Sequence, residues 1–363
     1  MSSPRSRFVP PAPAEQRSVV LLGMEPMDQL HRARQVRIHH MHQALNELTP
    51  TTLLTGARTP RRWLLLRYLL RGGLARTRAV YVEASTSTAT ETDLLFLNLA
   101  RRAGLPILVF IPDAYQLFPQ VYRRAGLKVV LLDWGWRRSI RAYQRLADVL
   151  FFPSEGLQAH FDCPRRAEPL PPAGVAGRPF VPPDPENRQV VYVGALNQLY
   201  GADLLLGAME RVIEALPDAR LLVITREPGA LDGLAAPWLR VEQRATDELA
   251  EVMAASSVAV IPWRQNEYHD LAMPVKLFDT MSYGRPLVVT PNRAMAAVVE
   301  RWQAGLVVQA EAQALADGLL RLLSEPALAA ELGHNAYQAV QSENAWLHRA
   351  QRVLQLVAEV KCA

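Results

Sequence analysis

Covalent and metal staples are the first things this chain lacks. Its 363 residues contain two cysteines, Cys163 and Cys362, too few for a disulfide framework or a cysteine-bound zinc. No apolar run approaches the roughly 18–20 residues that a membrane-spanning helix needs. The first 17 residues are rich in Pro, Ser and Arg and hold no apolar stretch of the signal-peptide kind. A disordered tail over residues 1–17 and a cytoplasmic protein are therefore expected. Lysine is also scarce: Lys128, Lys276 and Lys361 stand beside many arginines. A routine solvent-facing cation in this chain is an arginine, so a lysine inside a motif attracts notice. No Asp-x-Asp pair is present to hold a divalent ion.

What is there is a globular composition, 50% hydrophobic and 21% charged, at a length that predicts two domains. The charge is uneven. Residues 1–180 hold 25 Lys and Arg against 13 Asp and Glu, and the remainder holds 15 against 22. A basic first half and an acidic second half point to different partners for each.

Both halves alternate strand and helix patterns, which predicts parallel sheets covered on both faces. In the first half, apolar runs at Ser18–Leu22, Thr51–Thr55, Ala79–Glu83, Pro106–Ile111 and Val149–Phe152 read as strands. Helical spacing appears at His31–Leu48, Arg61–Leu70, Asp93–Ala103 and Trp136–Ala147. A proline-rich stretch follows, and residues 171–188 read as a stiff linker. The second half has strands at Val190–Val193, Arg220–Thr225, Leu239–Val241, Val258–Ile261, Leu287–Thr290 and Leu306–Val308. Its helices include Ala202–Ala215, Asp247–Ala255, and a tail that is helical from about Gln313. The expected domains are 18–170 and 189–363, the second including the C-terminal helices.

Residues 273–290 read Met-Pro-Val-Lys-Leu-Phe-Asp-Thr-Met-Ser-Tyr-Gly-Arg-Pro-Leu-Val-Val-Thr. This is a short helix opened by Pro274, broken at Gly284 and followed by a buried strand. Proline at a helix start leaves N–H groups at the positive end of the dipole, an anion site. Lys276 lies in that first turn and Asp279 three residues on, so the two can share a face. A cation for phosphate and a carboxylate for hydroxyls are the grips that a nucleotide sugar needs. The plainer alternative is an ordinary surface pair on an αβ unit.

The segment resembles the donor-site signature of family 4 glycosyltransferases, Pro-x-Lys-Leu-Phe-Glu-x-Met-Ala-x-Gly-x-Pro-Val, with Asp279 in place of Glu. Val191-Tyr-Val-Gly-Ala-Leu-Asn-Gln-Leu-Tyr-Gly-Ala-Asp-Leu-Leu-Leu206 resembles the opening of the same family's donor domain. The resemblance implies the GT-B architecture, an α/β fold of two Rossmann-like domains facing across a cleft. It implies transfer of a sugar from a nucleotide-diphosphate donor (UDP-, GDP- or ADP-linked) to a hydroxyl, with retention and without a metal or other cofactor. Donor-binding positions are then Gly194, Arg226, Arg264, Pro274, Lys276, Leu277 and Asp279. The chain departs from the family at three places. Ala195 and Tyr200 stand where Arg and Lys clamp the diphosphate, and Leu271 stands where a Glu is common. Arg264 and Arg226, at strand ends, are the candidate replacements. Glu267 is near but out of register.

In the first half, Asp113 and Tyr115 follow a buried strand, with Pro112 where the family often has His. Asp113 is the candidate to orient an acceptor hydroxyl or take its proton, and Glu83 with the Ser/Thr loop 84–89 shares that sheet edge. An N-cap or turn role for Asp113 is the alternative. Asp113, Lys276 and Arg264 are the candidate catalytic set. The basic, leucine-rich stretch Thr59–Arg71 and Arg137, Arg138, Arg141 and Arg145 suit an anionic membrane surface at the inner face, or simply a solvated helix edge. Aromatics do not interleave with the charge as nucleic acid binding requires. Trp346, before the last helix, reads as packing. A catalytically degenerate homologue acting as a binding or partner subunit, and an epimerase acting on the donor alone, are the rival readings.

Overall fold

The structure is a computed structural model that describes residues 17–27, 33–86, 88–121, 126–195, 197–226, 236–244 and 248–362. The tail expected over residues 1–17 lies outside them except for Arg17.

The chain builds two six-stranded sheets in which every pairing is parallel. The first contains β1 (Ser18–Gly23), β2 (Thr51–Thr55), β3 (Thr77–Glu83), β4 (Ile107–Phe110), β5 (Val149–Phe152) and β6 (Arg166–Pro169), in the order β2-β1-β3-β4-β5-β6. The second contains β7 (Gln189–Val193), β8 (Arg220–Ile224), β9 (Leu239–Glu242), β10 (Val258–Ile261), β11 (Leu287–Val289) and β12 (Gly305–Val307), in the order β12-β11-β10-β7-β8-β9. The strand order reverses between β7 and β10, the kind of switch point where open α/β sheets bind ligands. This is the GT-B arrangement that the sequence implied.

The first sheet carries α1 (Ala33–Leu48), α2 (Arg58–Leu70), α3 (Glu91–Arg102), α4 (Leu127–Leu146) and α5 (Glu155–Gln158). The start of α3 shows how local sequence fixes packing. Thr90 caps it by accepting from the Asp93 N–H, while the Asp93 carboxylate accepts from the Thr90 N–H. The same carboxylate takes two bonds from Arg61 of α2, at 2.8 and 2.9 Å, so the cap ties two helices together. The second sheet carries α6 (Ala202–Ala215), α7 (Leu249–Ala254), α8 (Val275–Ser282), α9 (Arg293–Trp302), α10 (Ala312–Ser324) and α11 (Pro326–Ser342), and α12 (Trp346–Cys362) ends the chain.

Four differences from the expected elements matter. Helix α4 begins at Leu127, not Trp136. A strand, β6, forms among the prolines because it takes an edge position where missing N–H groups cost nothing. Pro274 caps α8 from outside, with extended backbone, and the helix proper starts at Val275. Finally, α12 packs on the first sheet. Trp346, Ala350, Val353, Leu356 and Val357 share a core with Val19, Leu21, Ile38, Met41 and Tyr81. The last helix, counted with the second domain by sequence, thus braces the core of the first.

The carboxyl ends of the two sheets face each other. Tyr268, beyond the end of β10, donates a 2.5 Å hydrogen bond to Asp113, beyond the end of β4.

Candidate active site

The second-domain rim is built around Lys276 in the first turn of α8. Its Nζ donates to the Tyr192 hydroxyl at 3.2 Å. It lies 4.5 Å from the Tyr192 ring centroid, 5.3 Å from Trp263 and 6.0 Å from Tyr200. Tyr192 comes from β7, Trp263 from the exit of β10, and Tyr200 from the turn before α6. The exits of two strands, β7 and β10, thus make an aromatic box around one ammonium. Cation–π attraction offsets part of what the cation loses in leaving water. No carboxylate pairs with it among the described residues, and burial pushes its pKa down to about 7.

The glycines here are obligatory. Gly194 ends β7 at φ +133°, and a Cβ on it would stand 2.7 Å from the Lys276 Nζ. Gly201 caps α6 at φ +77°, and a Cβ there would collide with the Pro262 carbonyl. Bare backbone therefore faces the lysine on one side, and the uncapped start of α8 on the other.

Asp279 sits one turn further along α8, half-buried. Among the described residues its carboxylate takes no hydrogen bond, and burial raises it to about 7, opposed by the nearby Arg178. Arg178 comes from the linker and lies over the Tyr283 ring at 4.5 Å. Leu277 is fully buried in the core with Phe278 and Met281, so its side chain holds α8 in place and does not line the cleft. Arg264 follows β10 but is ion-paired to Asp203 in the first turn of α6. Arg226 is exposed at the end of β8.

The first-domain rim differs. Glu83 is buried with Arg37 at 3.0 Å and accepts from Tyr81 at 2.6 Å. That carboxylate is enclosed in the core and does not reach an acceptor. Asp113 accepts from Tyr268, and burial raises its pKa to about 6 against the pull of that bond and of Arg34. Tyr115 lies ring to ring with Tyr268 at 4.9 Å. Arg34 pairs with Glu25 at 3.2 Å, and the Ser85 hydroxyl donates to Glu25 at 3.4 Å.

Segment 265–272 bridges the two rims. Tyr268 and Leu271 are buried in the core of the first domain although they belong to the second by sequence. The Ser154 hydroxyl donates to the Leu271 carbonyl at 2.6 Å, and Gln120 bonds Glu267. Leu271 thus replaces the family's frequent Glu with an apolar plug. His269, also in this segment, is buried; its Nδ1 meets the Arg264 carbonyl at 2.8 Å and its Nε2 has no partner among the described residues. It lies against Tyr200 and Trp263, 5.5 and 4.8 Å between centroids. Reading the sequence singled out neither Tyr268 nor His269; only Glu267 and Leu271 drew notice in this segment.

Residues 187–325 match the family described as glycosyl transferases group 1. D-inositol 3-phosphate glycosyltransferase of Rhodococcus opacus (strain B4) is 26% identical over 188 residues, 47% of this chain and 41% of that protein. The match therefore spans about two fifths of that relative. Among solved structures, sucrose-phosphate synthase of Thermosynechococcus elongatus superposes with a TM-score of 0.67 at 15% identity, over 95% of this chain and 100% of that one. The UDP-forming α,α-trehalose-phosphate synthase of Burkholderia xenovorans gives 0.62 at 14% identity, over 94% and 100%. These likenesses establish the two-domain fold over nearly the whole chain.

Proposed function

We propose that this protein, whose residues 187–325 match the glycosyl transferases group 1 family, moves a sugar from a nucleotide diphosphate to a hydroxyl acceptor, with retention. One observation carries the reading. An unpaired, desolvated lysine faces bare glycine backbone and a helix start at the switch point between β7 and β10. That is a place prepared for an anion.

Lys276 and the first turn of α8 take the diphosphate. The charge that develops on the leaving group is met by this ammonium, by the helix end and by Arg264, with Arg226 beside them, and no metal ion is assigned a part. The loss of Arg and Lys at Ala195 and Tyr200 is compensated by concentrating the site on one cation whose environment favours a bound anion. Asp279 accepts from the ribose hydroxyls. On the other rim, Asp113 orients the acceptor hydroxyl and takes its proton. A carboxyl near 6 is mostly ionised at neutral pH and basic enough to serve. The acceptor is a glycan, a lipid-linked sugar or a small molecule, and the first domain meets an anionic membrane surface from the cytoplasmic side. No helix among the described residues is long and apolar enough to cross a membrane.

Calorimetry with UDP, GDP and ADP tests the donor site. One nucleotide binds, and Lys276→Ala and Asp279→Ala each lose at least about tenfold in affinity. No binding of any of the three would overturn the reading. The rival, a degenerate partner subunit, draws on Leu271 filling the first domain where the family often has Glu. Sugar transfer by the purified chain alone separates it from an enzyme.

A further inference from the structure

The first two turns of α4 project beyond the body of the first domain. Leu127, Val130, Leu131 and Trp134 are between 61% and 76% exposed, and among the described side chains of the helix none before Gly135 is buried. Their spacing of three and four residues puts all four on one face. Further along that face the residues become Arg137, Arg141 and Arg145, all exposed. One side of α4 is thus an apolar tip backed by a cationic row.

Helix α2 repeats the composition on the same side of the sheet. Trp63 and Leu70 are 70% and 88% exposed, with Arg62, Arg67 and Arg71 exposed among them. No acidic residue occurs from Arg58 to Arg76. The two helices flank α3. Glu91, at the start of α3, is bonded by Arg138 of α4 at 2.7 and 2.8 Å and feels the charge of Arg62 of α2. Thr88, in the loop after β3, lies against Gly135 of α4, and its carbonyl accepts from Arg58 of α2. The apolar tip therefore stands beside the loops that edge the acceptor side of the cleft.

Exposed leucine, valine and tryptophan on a helix tip cost free energy in water and gain it in hydrocarbon. The arginine row behind them fits a plane of anionic headgroups and not a second copy of the same basic surface. We propose that the α4 tip, flanked by α2, enters an anionic lipid bilayer, with Arg137, Arg141 and Arg145 at the phosphate level. The surface stands on its own observations. Its use, presenting a lipid-borne hydroxyl to the cleft, rests on the transfer reading above.

The test is flotation of the full chain with vesicles of phosphatidylcholine alone and with roughly 30% phosphatidylglycerol. The protein is expected to float with the anionic vesicles only. Leu131→Glu/Trp134→Glu should cut the bound fraction about tenfold or more, and Arg137→Glu/Arg141→Glu should do the same. Nucleotide affinity in both variants should equal that of the parent, which shows that they are folded. Failure to bind anionic vesicles, or unchanged binding by Leu131→Glu/Trp134→Glu, would overturn the proposal. So would a dimer in sedimentation that the same double substitution dissolves, because the tip would then be covered by a second chain. Vesicle binding without nucleotide binding would leave this surface standing and sink the transfer reading alone.

Discussion

Two cations near the two sheets, buried Arg37 and half-buried Lys276, are treated in opposite ways. Arg37 in the first domain is matched: Glu83 bonds it at 3.0 Å, and its guanidinium lies 3.4 Å over the Phe110 ring. Lys276 in the second has only aromatic rings and one hydroxyl. A buried charge with a bonded counter-charge belongs to the architecture, and a desolvated one beside a cleft without such a partner is a candidate for ligand binding. The same contrast runs along the rims. In the first domain Glu25, Glu83 and Asp113 are each engaged by a neighbouring side chain. In the second, Asp279 takes no hydrogen bond among the described residues. On the proposed reading the second-domain rim can take a donor without giving up internal bonds, whereas the first-domain rim must exchange internal bonds for external ones.

Three experiments would break or sharpen this contrast. The largest effect is expected from the matched cation. Glu83→Ala strands Arg37 and should destabilise folding by about 3–5 kcal/mol in chemical denaturation. Nucleotide affinity of the molecules still folded should not change. Loss of nucleotide binding at full stability would put Glu83 in the site after all.

The unmatched cation should behave in the reverse sense. Nucleotide affinity should peak near pH 7. Above that, Lys276 loses its proton and affinity falls by up to about tenfold per pH unit; below it, Asp279 gains one and the ribose grip weakens. Lys276→Arg should flatten the alkaline side and Asp279→Asn the acidic side. For stability, the folded pKa of Lys276 lies below its unfolded value of 10.5, so the unfolded chain binds more protons between about 7 and 10.5. The charged lysine thus weakens the fold most below pH 7. At pH 6, Lys276→Met should raise the Tm by about 2 °C or more while abolishing donor binding. A lower Tm would mean that the aromatic box repays the ammonium in full.

The smallest effect concerns the bridge between the rims. The Tyr268 hydroxyl holds the Asp113 pKa down, so Tyr268→Phe should move it above about 6. The acidic limb of the transfer rate should shift to higher pH, with a change of only a few fold in kcat at neutral pH. An unmoved limb would remove Asp113 from the proton's path.

How much of this was legible beforehand follows from how local each feature is. Strand β5 and helix α6 were readable to the residue because their apolar periodicity faces the core along their whole length. Helix α4 was read nine residues short for the same reason. Its buried face starts at Gly135 and Trp136, and before that the apolar residues point to solvent, where no core-facing period exists. Lys276 and Asp279 were visible because one short helix carries both. Their surroundings were not, since Tyr192, Tyr200, Trp263 and His269 converge from different strand exits. Leu271 was visible as a departure from the family, but its insertion into the opposite domain is a tertiary fact that no local pattern encodes.

The return of α12 has a consequence for how the protein comes into being. The apolar face of β1 and α1 is closed by residues from Trp346 onward, which are made only after the whole second domain. During synthesis the first-made half waits with that face open while the second-made half can already close over its own core. The core of the first-made half is then the one completed last. The final turns of the chain act as the seal, docking where the Gly174 carbonyl accepts from the Trp346 N–H at 3.2 Å and Arg349 donates to the Pro171 carbonyl at 3.0 Å. A ribosome stalled short of Trp346 would present a finished second domain attached to an unfinished first.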